Sequence, residues 1–90
     1  MGFHQTFKAL SDPTRRAILE QLRHGRLTAG EIASAFDLSA ATVSHHLAML
    51  RQAELVTGQR EGKYIYYEIN TSVIDEILAW AASLKEEGRG

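Results

Sequence analysis

The chain has 90 residues and no cysteine, and its ten lysines and arginines against eleven aspartates and glutamates give a formal net charge of −1. This length predicts one domain, and the lack of thiols excludes disulfides, thiolate metal sites, cysteine nucleophiles and thiol redox sensing. A domain this small buries only about 60–65% of its unfolded surface, so we expect it to gain stability by dimerising. The start MGFHQTF has no long apolar run and no segment approaches the roughly 18 apolar residues of a membrane span, so a soluble cytoplasmic protein is expected.

Two helices are predicted at the beginning of the chain. Residues 3–10 place Phe3, Phe7 and Leu10 at i, i+4 and i+7, the spacing of a short amphipathic helix. The next segment, SDPTRRAILEQLRHG, offers Asp12 as an N-cap, a proline at the first helical position and Gly25 as a stop signal. The predicted buried face of this second helix consists of Ala17, Ile18 and Leu22, and the two arginines of TRR are expected to point away from it.

A helix-turn-helix is predicted over residues 28–53. Thr28 and Glu31 have the T-x-x-E spacing of a capping box at the start of a short helix. Asp37 and Leu38 form a tight break, and Ser39 caps a second helix over residues 40–53. The apolar stripe of this second helix consists of Val43, Leu47 and Leu50. Two short helices joined by about three residues are typical of this motif.

The hydrophobic period changes to two after residue 54. In YIYYEI, one face carries Ile65, Tyr67 and Ile69, and the other carries Tyr64, Tyr66 and Glu68. This alternation predicts a half-buried hairpin over residues 55–69, with its turn near the Glu-Gly step at residues 61–62.

The charge of the chain also differs between its two parts. Residues 1–63 carry eight basic and six acidic residues, and residues 64–90 carry two and five, so any basic surface must lie in the first 63 residues.

A last helix is predicted over residues 71–87, with Thr71 or Ser72 as its N-cap. Its apolar residues cover about half of the circumference, which is wider than the single stripe that docks a helix on its own domain. We therefore expect two partners for this helix, its own domain and a second chain. The predicted dimer interface consists of Phe3, Phe7, Val73, Ile74, Ile77, Trp80, Ala81 and Leu84.

A hairpin that follows directly after a recognition helix is typical of a winged helix, so the predicted fold is mainly α with a small β-hairpin. The chain resembles the ArsR/SmtB family of bacterial winged-helix repressors, and within it the SdpR-like autorepressor branch. The segments that carry the resemblance are FKALSDPTRRAILEQL at 7–22, the helix-turn-helix from 28 to 50 and the wing REGKYIYYEI at 60–69.

The resemblance implies a homodimer joined through the first and last helices and bound to double-stranded DNA. The helix of residues 40–53 would enter the major groove, and the wing would reach a flanking minor groove or the backbone. The operator would be palindromic, with half-sites about one helical turn, roughly 34–36 Å, or a multiple of it apart. The branch also implies autoregulation and release by a membrane or protein anti-repressor, without membrane insertion of the repressor itself.

The chain departs from the metal-sensing members of this family at both of their usual sites. Those members carry a cysteine motif in the helix that corresponds to residues 31–36, or aspartates and histidines on the last helix. Here the first segment reads EIASAF, and residues 70–90 contain no histidine or cysteine. We therefore expect no metal site, no cofactor and no response to metal ions.

The adjacent pair His45 and His46 raises the question of metal binding, catalysis or DNA contact. A helical metal pair uses i, i+4 spacing, and consecutive residues diverge by about 100°, so chelation is not expected. On a helical wheel His45 lies opposite the apolar stripe, where it would face the groove. His46 lies at the edge of the core, where it would pack or donate a hydrogen bond to backbone or phosphate.

Base readout is assigned to Thr42, Ser44 and His45, and phosphate contacts to Arg51, Arg60 and Lys63. The full set of predicted DNA-binding residues is Thr42, Ser44, His45, His46, Arg51, Gln59, Arg60 and Lys63. One alternative is a winged-helix module that binds proteins without specific DNA binding, which a net charge of −1 permits. An enzyme is not expected, because no nucleophile-base pair, convergent carboxylate pair or phosphate loop is present.

Overall fold

A computed structural model describes residues 3–86, which contain five helices and three strands. In chain order these are α1 (His4–Leu10), α2 (Pro13–Leu22), β1 (Leu27–Thr28), α3 (Ala29–Phe36), α4 (Ala40–Gln52), β2 (Val56–Glu61), β3 (Tyr64–Ile69) and α5 (Thr71–Lys85). The predicted end of the last helix at residue 87 lies outside the described residues. The arrangement is a winged helix-turn-helix, as the sequence predicts.

The helix starts follow from local capping. The Asp12 side chain accepts a hydrogen bond from the Arg15 backbone N–H, and that of Ser39 accepts one from Thr42 N–H. Thr28 and Glu31 form the predicted capping box, with reciprocal bonds of 3.1 and 2.9 Å between side chain and backbone. These groups satisfy N–H donors that the helices themselves leave unpaired, which confirms all three predicted caps.

The start of α5 differs from the prediction of Thr71 or Ser72 as its cap. Asn70 is the N-cap, and its Oδ1 accepts a hydrogen bond from the Ser72 backbone N–H at 3.3 Å. The same side chain donates from Nδ2 to the Glu54 carbonyl at 2.9 Å, and the Asn70 backbone N–H donates to the Leu55 carbonyl at 2.9 Å. An amide both accepts and donates, so Asn70 joins the beginning of α5 to the segment after α4.

The core lies between α4, the other helices and the inner face of the sheet. The predicted stripe Val43, Leu47 and Leu50 is buried, which confirms the orientation of α4. Ala17, predicted to be buried, is only half buried. The remaining buried apolar residues are Ala9, Ile18, Leu22, Ile32, Ala53, Leu55, Val56 and Val73.

The predicted hairpin is present and belongs to a three-stranded antiparallel sheet of order β1-β3-β2. Val56 pairs with Ile69 at its base and Glu61 pairs with Tyr64 at its tip. Gly62 adopts a φ of 63° in the two-residue turn, a conformation that glycine reaches without the steric cost of a Cβ. The sequence did not predict β1, because a strand of two residues is too short for an alternating pattern to be recognised.

Candidate nucleic-acid interface

The face of α4 opposite the core is exposed and carries short polar side chains. Thr42, Ser44 and His45 are exposed, and two small residues, Ala41 and Ala48, lie among them. The Ser39 hydroxyl donates a hydrogen bond of 2.9 Å to the Thr42 hydroxyl, which orients the latter at the helix start. Short side chains allow the backbone of a helix to approach base edges closely, and hydroxyl and imidazole groups supply both donors and acceptors.

The wing carries the other predicted contact residues. Gln59, Arg60 and Lys63 are all exposed. Gln59 is paired with Tyr66 and Arg60 with Ile65, so these two consecutive residues project from opposite faces of the hairpin. Lys63 lies in the turn, with its ammonium nitrogen 5.5 Å from the centre of the Tyr64 ring. Arg51, in the last turn of α4, is also exposed. The wing therefore presents polar or cationic groups on both faces and at its tip.

An arginine outside the predicted set, Arg26, forms an ion pair with Glu61, one of the two acidic residues of the wing. Its Nη1 and Nη2 donate to the two carboxylate oxygens of Glu61 at 2.6 and 2.8 Å. Its guanidinium carbon lies 4.4 Å from the centre of the Tyr66 ring. The hydrogen bonds from Arg26 hold the pKa of Glu61 below its ordinary value. The pair spans 35 residues of sequence, so no local pattern could reveal it.

His46 lies at the junction of α2 and α4, with 12% of its side chain exposed. Its Nδ1 is 3.4 Å from Nη1 of Arg15 and 4.0 Å from Oδ2 of Asp12. The ring of His45 lies 6.0 Å from that of His46, centroid to centroid, but it is exposed. The two histidines therefore differ in burial, and little of the His46 ring is left for contact with another molecule.

The prediction that the arginines of TRR point away from the buried face is wrong for Arg15, which is only 8% exposed. Its Nε donates to the Ala9 carbonyl at 2.8 Å and its Nη2 to the Lys8 carbonyl at 3.2 Å. Arg16 is exposed and donates to the Leu10 carbonyl at 2.6 Å. The two guanidinium groups thus bind the last carbonyls of α1, where a helix has unpaired acceptors and partial negative charge. A short helix followed closely by two arginines is the sequence signal that could have indicated this role.

Burial lowers the pKa of the His46 imidazole below its ordinary value, because the charged form loses hydration there. The Asp12 carboxylate opposes this effect, and the charges of Arg15 and His45 reinforce it. The pKa of Asp12 is itself lowered, first of all because its carboxylate accepts the Arg15 backbone hydrogen bond. The neutral imidazole is therefore the favoured form of His46 in the folded protein.

The predicted dimer residues divide into an exposed group and a buried group. The rings of Phe3, Phe7 and Trp80 lie in a triangle with centroid separations of 5.8, 5.8 and 5.9 Å, and we call this cluster the aromatic triangle. Phe7 and Trp80 are each 44% exposed, and Leu84 is 66% exposed. The predicted set also includes Val73, but it is 5% exposed and belongs to the core of its own chain. Of the others, Ile74 packs partly against the core, Ile77 is half buried and Ala81 is exposed.

Two further kinds of feature are absent from residues 3–86. No group of three or more histidine, aspartate or glutamate side chains in this range is arranged to hold a metal ion. No helix within the same residues is long and apolar enough to cross a membrane.

The exposed face of α4 and the hairpin beside it, which carries Arg60 and Lys63, define a winged helix-turn-helix DNA-binding protein. Residues 10–59 match a family model described as a helix-turn-helix domain. The chain is 45% identical over 85 residues to the transcriptional repressor SdpR of Bacillus subtilis (strain 168), with 94% of each protein covered. The chain belongs to the ArsR family of transcriptional repressors, a class of DNA-binding regulators and not of enzymes.

Solved structures show the same fold. An ArsR-like transcriptional regulator from Rhodococcus sp. RHA1 is similar with a TM-score of 0.87 and 26% identity, covering 91% of this chain and 75% of that chain. The homodimeric winged helix-turn-helix DNA-binding domain of Mb0332 from Mycobacterium bovis, a possible ArsR-family regulator, has a TM-score of 0.76 and 29% identity, covering 97% and 81%. These neighbours confirm the fold and the family that the sequence resembles.

The lowered pKa of His46 predicts that the protein loses stability in mild acid. Because the folded pKa lies below the unfolded value, the unfolded chain takes up the proton at a higher pH than the folded chain. The stabilising contribution of the neutral ring is therefore complete above about pH 6.5 and is lost as the pH falls towards the folded pKa. The free energy of unfolding, measured by urea denaturation from about pH 7.5 to 5.5, should decrease through this range.

The variant His46→Asn should remove this part of the pH dependence, since an asparagine does not titrate. His24→Asn is the matched control, because His24 is an exposed histidine elsewhere in the chain, and it should keep the slope of the wild type. A slope that survives in His46→Asn would assign the effect to a different group.

Proposed function

We propose that this protein is a homodimeric repressor that inserts α4 into the major groove of a palindromic operator. The observation that carries the proposal is the exposed face of α4, on which short polar side chains lie among alanines, beside a wing with cationic residues. The fold supplies the frame for this contact, since a recognition helix and a wing on the same side can follow the groove and the adjacent backbone.

Base readout is proposed for Thr42, Ser44 and His45. Hydroxyl and imidazole groups can pair with the donors and acceptors that each base pair exposes in the major groove. Ala41 and Ala48 are exposed between them, and their methyl groups suit contact with thymine methyls. The hydrogen bond from Ser39 orients the Thr42 hydroxyl before DNA arrives, which lowers the cost of ordering it in a complex.

Phosphate contacts are proposed for Arg51, Arg60 and Lys63, with Gln59 as a further polar contact of the wing. All four are exposed and lie on α4 or the hairpin. Of the two carboxylates of the wing, Glu61 near the tip is paired through two hydrogen bonds from Arg26, and Glu68 lies opposite Thr57 towards the base. This local arrangement would support DNA affinity in a chain whose net charge is only −1.

Dimerisation is proposed through α1 and α5. The aromatic triangle and Leu84 together expose a contiguous apolar surface, which a single small domain does not normally leave in water. The Mycobacterium bovis neighbour is described as homodimeric, and it shares this fold over nearly the whole chain. A two-fold dimer presents two copies of α4 and therefore selects a palindrome.

Repression would follow from occupancy of a promoter, and we propose that one target is the promoter of the protein's own gene. We also propose that metal ions do not release the protein, since the 90 residues contain no cysteine and EIASAF occupies the segment used by the sensors. A protein anti-repressor is the proposed means of release. Zinc, cadmium or arsenite added to a preformed DNA complex should leave the bound fraction unchanged, and dissociation would contradict this part of the proposal.

The function is tested by selecting duplexes from a random library with the purified protein. The proposal predicts a two-fold symmetric consensus with half-site centres about 10 base pairs, or a multiple of that, apart. The same sequence is expected upstream of the protein's own gene. Recovery of no consensus, together with no mobility shift at low salt, would instead favour a winged helix that binds a protein partner.

The division between base readout and phosphate contact predicts different effects of His45→Ala and Arg60→Ala. Loss of His45 should reduce the preference for the consensus over scrambled DNA by about tenfold per protomer, since each good base contact contributes roughly 1–3 kcal/mol of discrimination. Loss of Arg60 should weaken both duplexes alike and reduce the slope of log K against log salt by roughly one unit per protomer. Fluorescence anisotropy at several salt concentrations measures both quantities.

Two exposed residues outside the proposed interface serve as controls for these variants. His24→Ala and Arg23→Ala make the same chemical changes at positions on the segment after α2. Equal losses on consensus and scrambled DNA for both His45→Ala and Arg60→Ala would contradict the assigned roles.

The proposed interface predicts that Leu84→Glu separates the dimer. Leu84 is 66% exposed on the apolar face of α5, and a carboxylate there would have to lose its hydration to be covered. The dissociation constant of the dimer should rise by about 100-fold, as measured by analytical ultracentrifugation. Ala79→Glu adds the same charge to an exposed position on the opposite face of α5 and should leave the dimer intact. A monomeric wild type, or equal effects of the two variants, would contradict the interface.

A further inference from the structure

Arg15 is the point at which three helices meet. It belongs to α2, its Nε and Nη2 donate to the Ala9 and Lys8 carbonyls at the end of α1, and its Nη1 lies 3.4 Å from the His46 ring nitrogen on α4. Each of the three guanidinium nitrogens therefore has a partner on another helix. Because Arg15 is only 8% exposed, these contacts are made largely out of water, where hydrogen bonds are strongest.

We propose that Arg15 and His46 form a positioning pair that fixes the recognition helix against α1 and α2, and that His46 affects DNA binding through Arg15 and not by touching DNA. The proposal rests on the proposed function insofar as α4 is the helix that reads DNA. It assigns different roles to the two adjacent histidines of α4, since His45 is exposed on the side opposite the core.

The chemistry of the pair fixes which form of His46 is required. A guanidinium group has five N–H donors and no acceptor, so Nδ1 of His46 must accept and the ring proton must lie on Nε2. The charged imidazolium has no acceptor and would face the positive charge of Arg15. Burial, Arg15 and His45 all disfavour that charged form, and only the Asp12 carboxylate, 4.0 Å away, favours it.

The position of the Arg15–His46 pair allows it to restrict the orientation of α4. The apolar stripe packs one side of the helix against the core. Small rotations of the helix about its own axis are then limited by contacts at the edge of the stripe. His46 lies at this edge, at the middle of α4, next to the residues proposed to read bases. A base contact is lost when a side chain is displaced by about 1 Å. The Arg15–His46 contact should therefore affect the preference for one DNA sequence over another more than the overall affinity for DNA.

The pair also connects the recognition helix to the element proposed to dimerise. The α1 helix carries Phe7 of the aromatic triangle and ends at the carbonyls that Arg15 binds. One side chain of α2 therefore contacts both α1 and α4, and it adds a polar link between two helices that also pack directly against each other.

Two substitutions at His46 separate a positioning role from a DNA contact. Asparagine presents its Oδ1 close to the position of the imidazole Nδ1, so His46→Asn keeps an acceptor for Arg15 and removes the Nε2 end of the ring. His46→Leu keeps the volume and removes the acceptor. His24→Leu, at an exposed position outside the interface, is the control for replacing a histidine by leucine.

The first measurement uses the free protein and needs no DNA. Amide hydrogen exchange across α4 should become about tenfold faster in His46→Leu than in the wild type, and His46→Asn should stay within about threefold of the wild type. Arg15→Lys should resemble His46→Leu, because one ammonium cannot reach three acceptors on two helices. The double variant Arg15→Lys/His46→Leu should be no faster than Arg15→Lys alone, since each change removes the same bond.

The second measurement is the ratio of affinities for the selected consensus duplex and a scrambled duplex of the same length. His46→Leu should lower this ratio by about tenfold, and His46→Asn should restore most of it. Equal losses in the two His46 variants, with exchange in α4 unchanged, would show that the ring contacts DNA and would overturn the positioning role. Unchanged exchange and an unchanged ratio in His46→Leu would overturn it as well.

The two measurements distinguish failure of this inference from failure of the proposed function. If the wild type selects no consensus, the proposed function fails, and the exchange pattern across α4 still decides whether Arg15 and His46 act as a pair. If the wild type selects a consensus but His46→Asn behaves like His46→Leu in both measurements, the function stands and the pair is overturned.

Discussion

Burial of one stripe of α4 is the constraint on which the rest of the structure depends. Val43, Leu47 and Leu50 are almost fully removed from solvent, and each such side chain stabilises the fold by roughly 1.5–3 kcal/mol. Rotation of the helix by a single residue, about 100°, would turn this stripe away from the core and bring polar side chains such as Ser44 and Arg51, or Thr42 and His46, inward in its place. No surface hydrogen bond has a comparable free energy, so the core decides which side of α4 is left free to meet another molecule.

Polar contacts then refine an orientation that apolar burial has already set. The stripe determines the inward direction of α4, whereas Ser39 fixes where the helix begins and Arg15 and His46 hold its flank. At the other end, Asn70 joins the segment after α4 to α5 through hydrogen bonds on both sides of its amide. These contacts each contribute little to the free energy of unfolding, but they are directional, and directional contacts are what a recognition surface requires.

The sequence predicted the features that follow from local periodicity and failed where a contact joins distant segments. Three features are each formed by residues that are close in sequence, so the spacing of those residues predicts them. They are the stripe of α4, the capping box of Thr28 and Glu31, and the hairpin. The Arg15–His46 contact spans 31 residues and the Arg26–Glu61 pair spans 35, and no pattern within one helix or strand predicts either. The expectation that Arg15 points away from the buried face is wrong because its burial depends on carbonyls that α1 leaves without partners.

The wide apolar face of α5 is also explained by contacts between distant segments. The first part of this face packs on its own domain, since Val73 lies in the core and Ile74 packs against it. Trp80 and Leu84, further along the helix, remain exposed. A partner chain would contact the exposed half of α5. The start of the same helix is linked by the side-chain amide of Asn70 to the segment directly after the recognition helix. In the proposed dimer the separation of the two α4 helices then depends on a continuous path of packed and hydrogen-bonded residues, without a flexible linker. The packing within each chain, together with the dimer interface, would accordingly fix the distance between the two α4 helices. That distance determines which half-site spacing the dimer can bind.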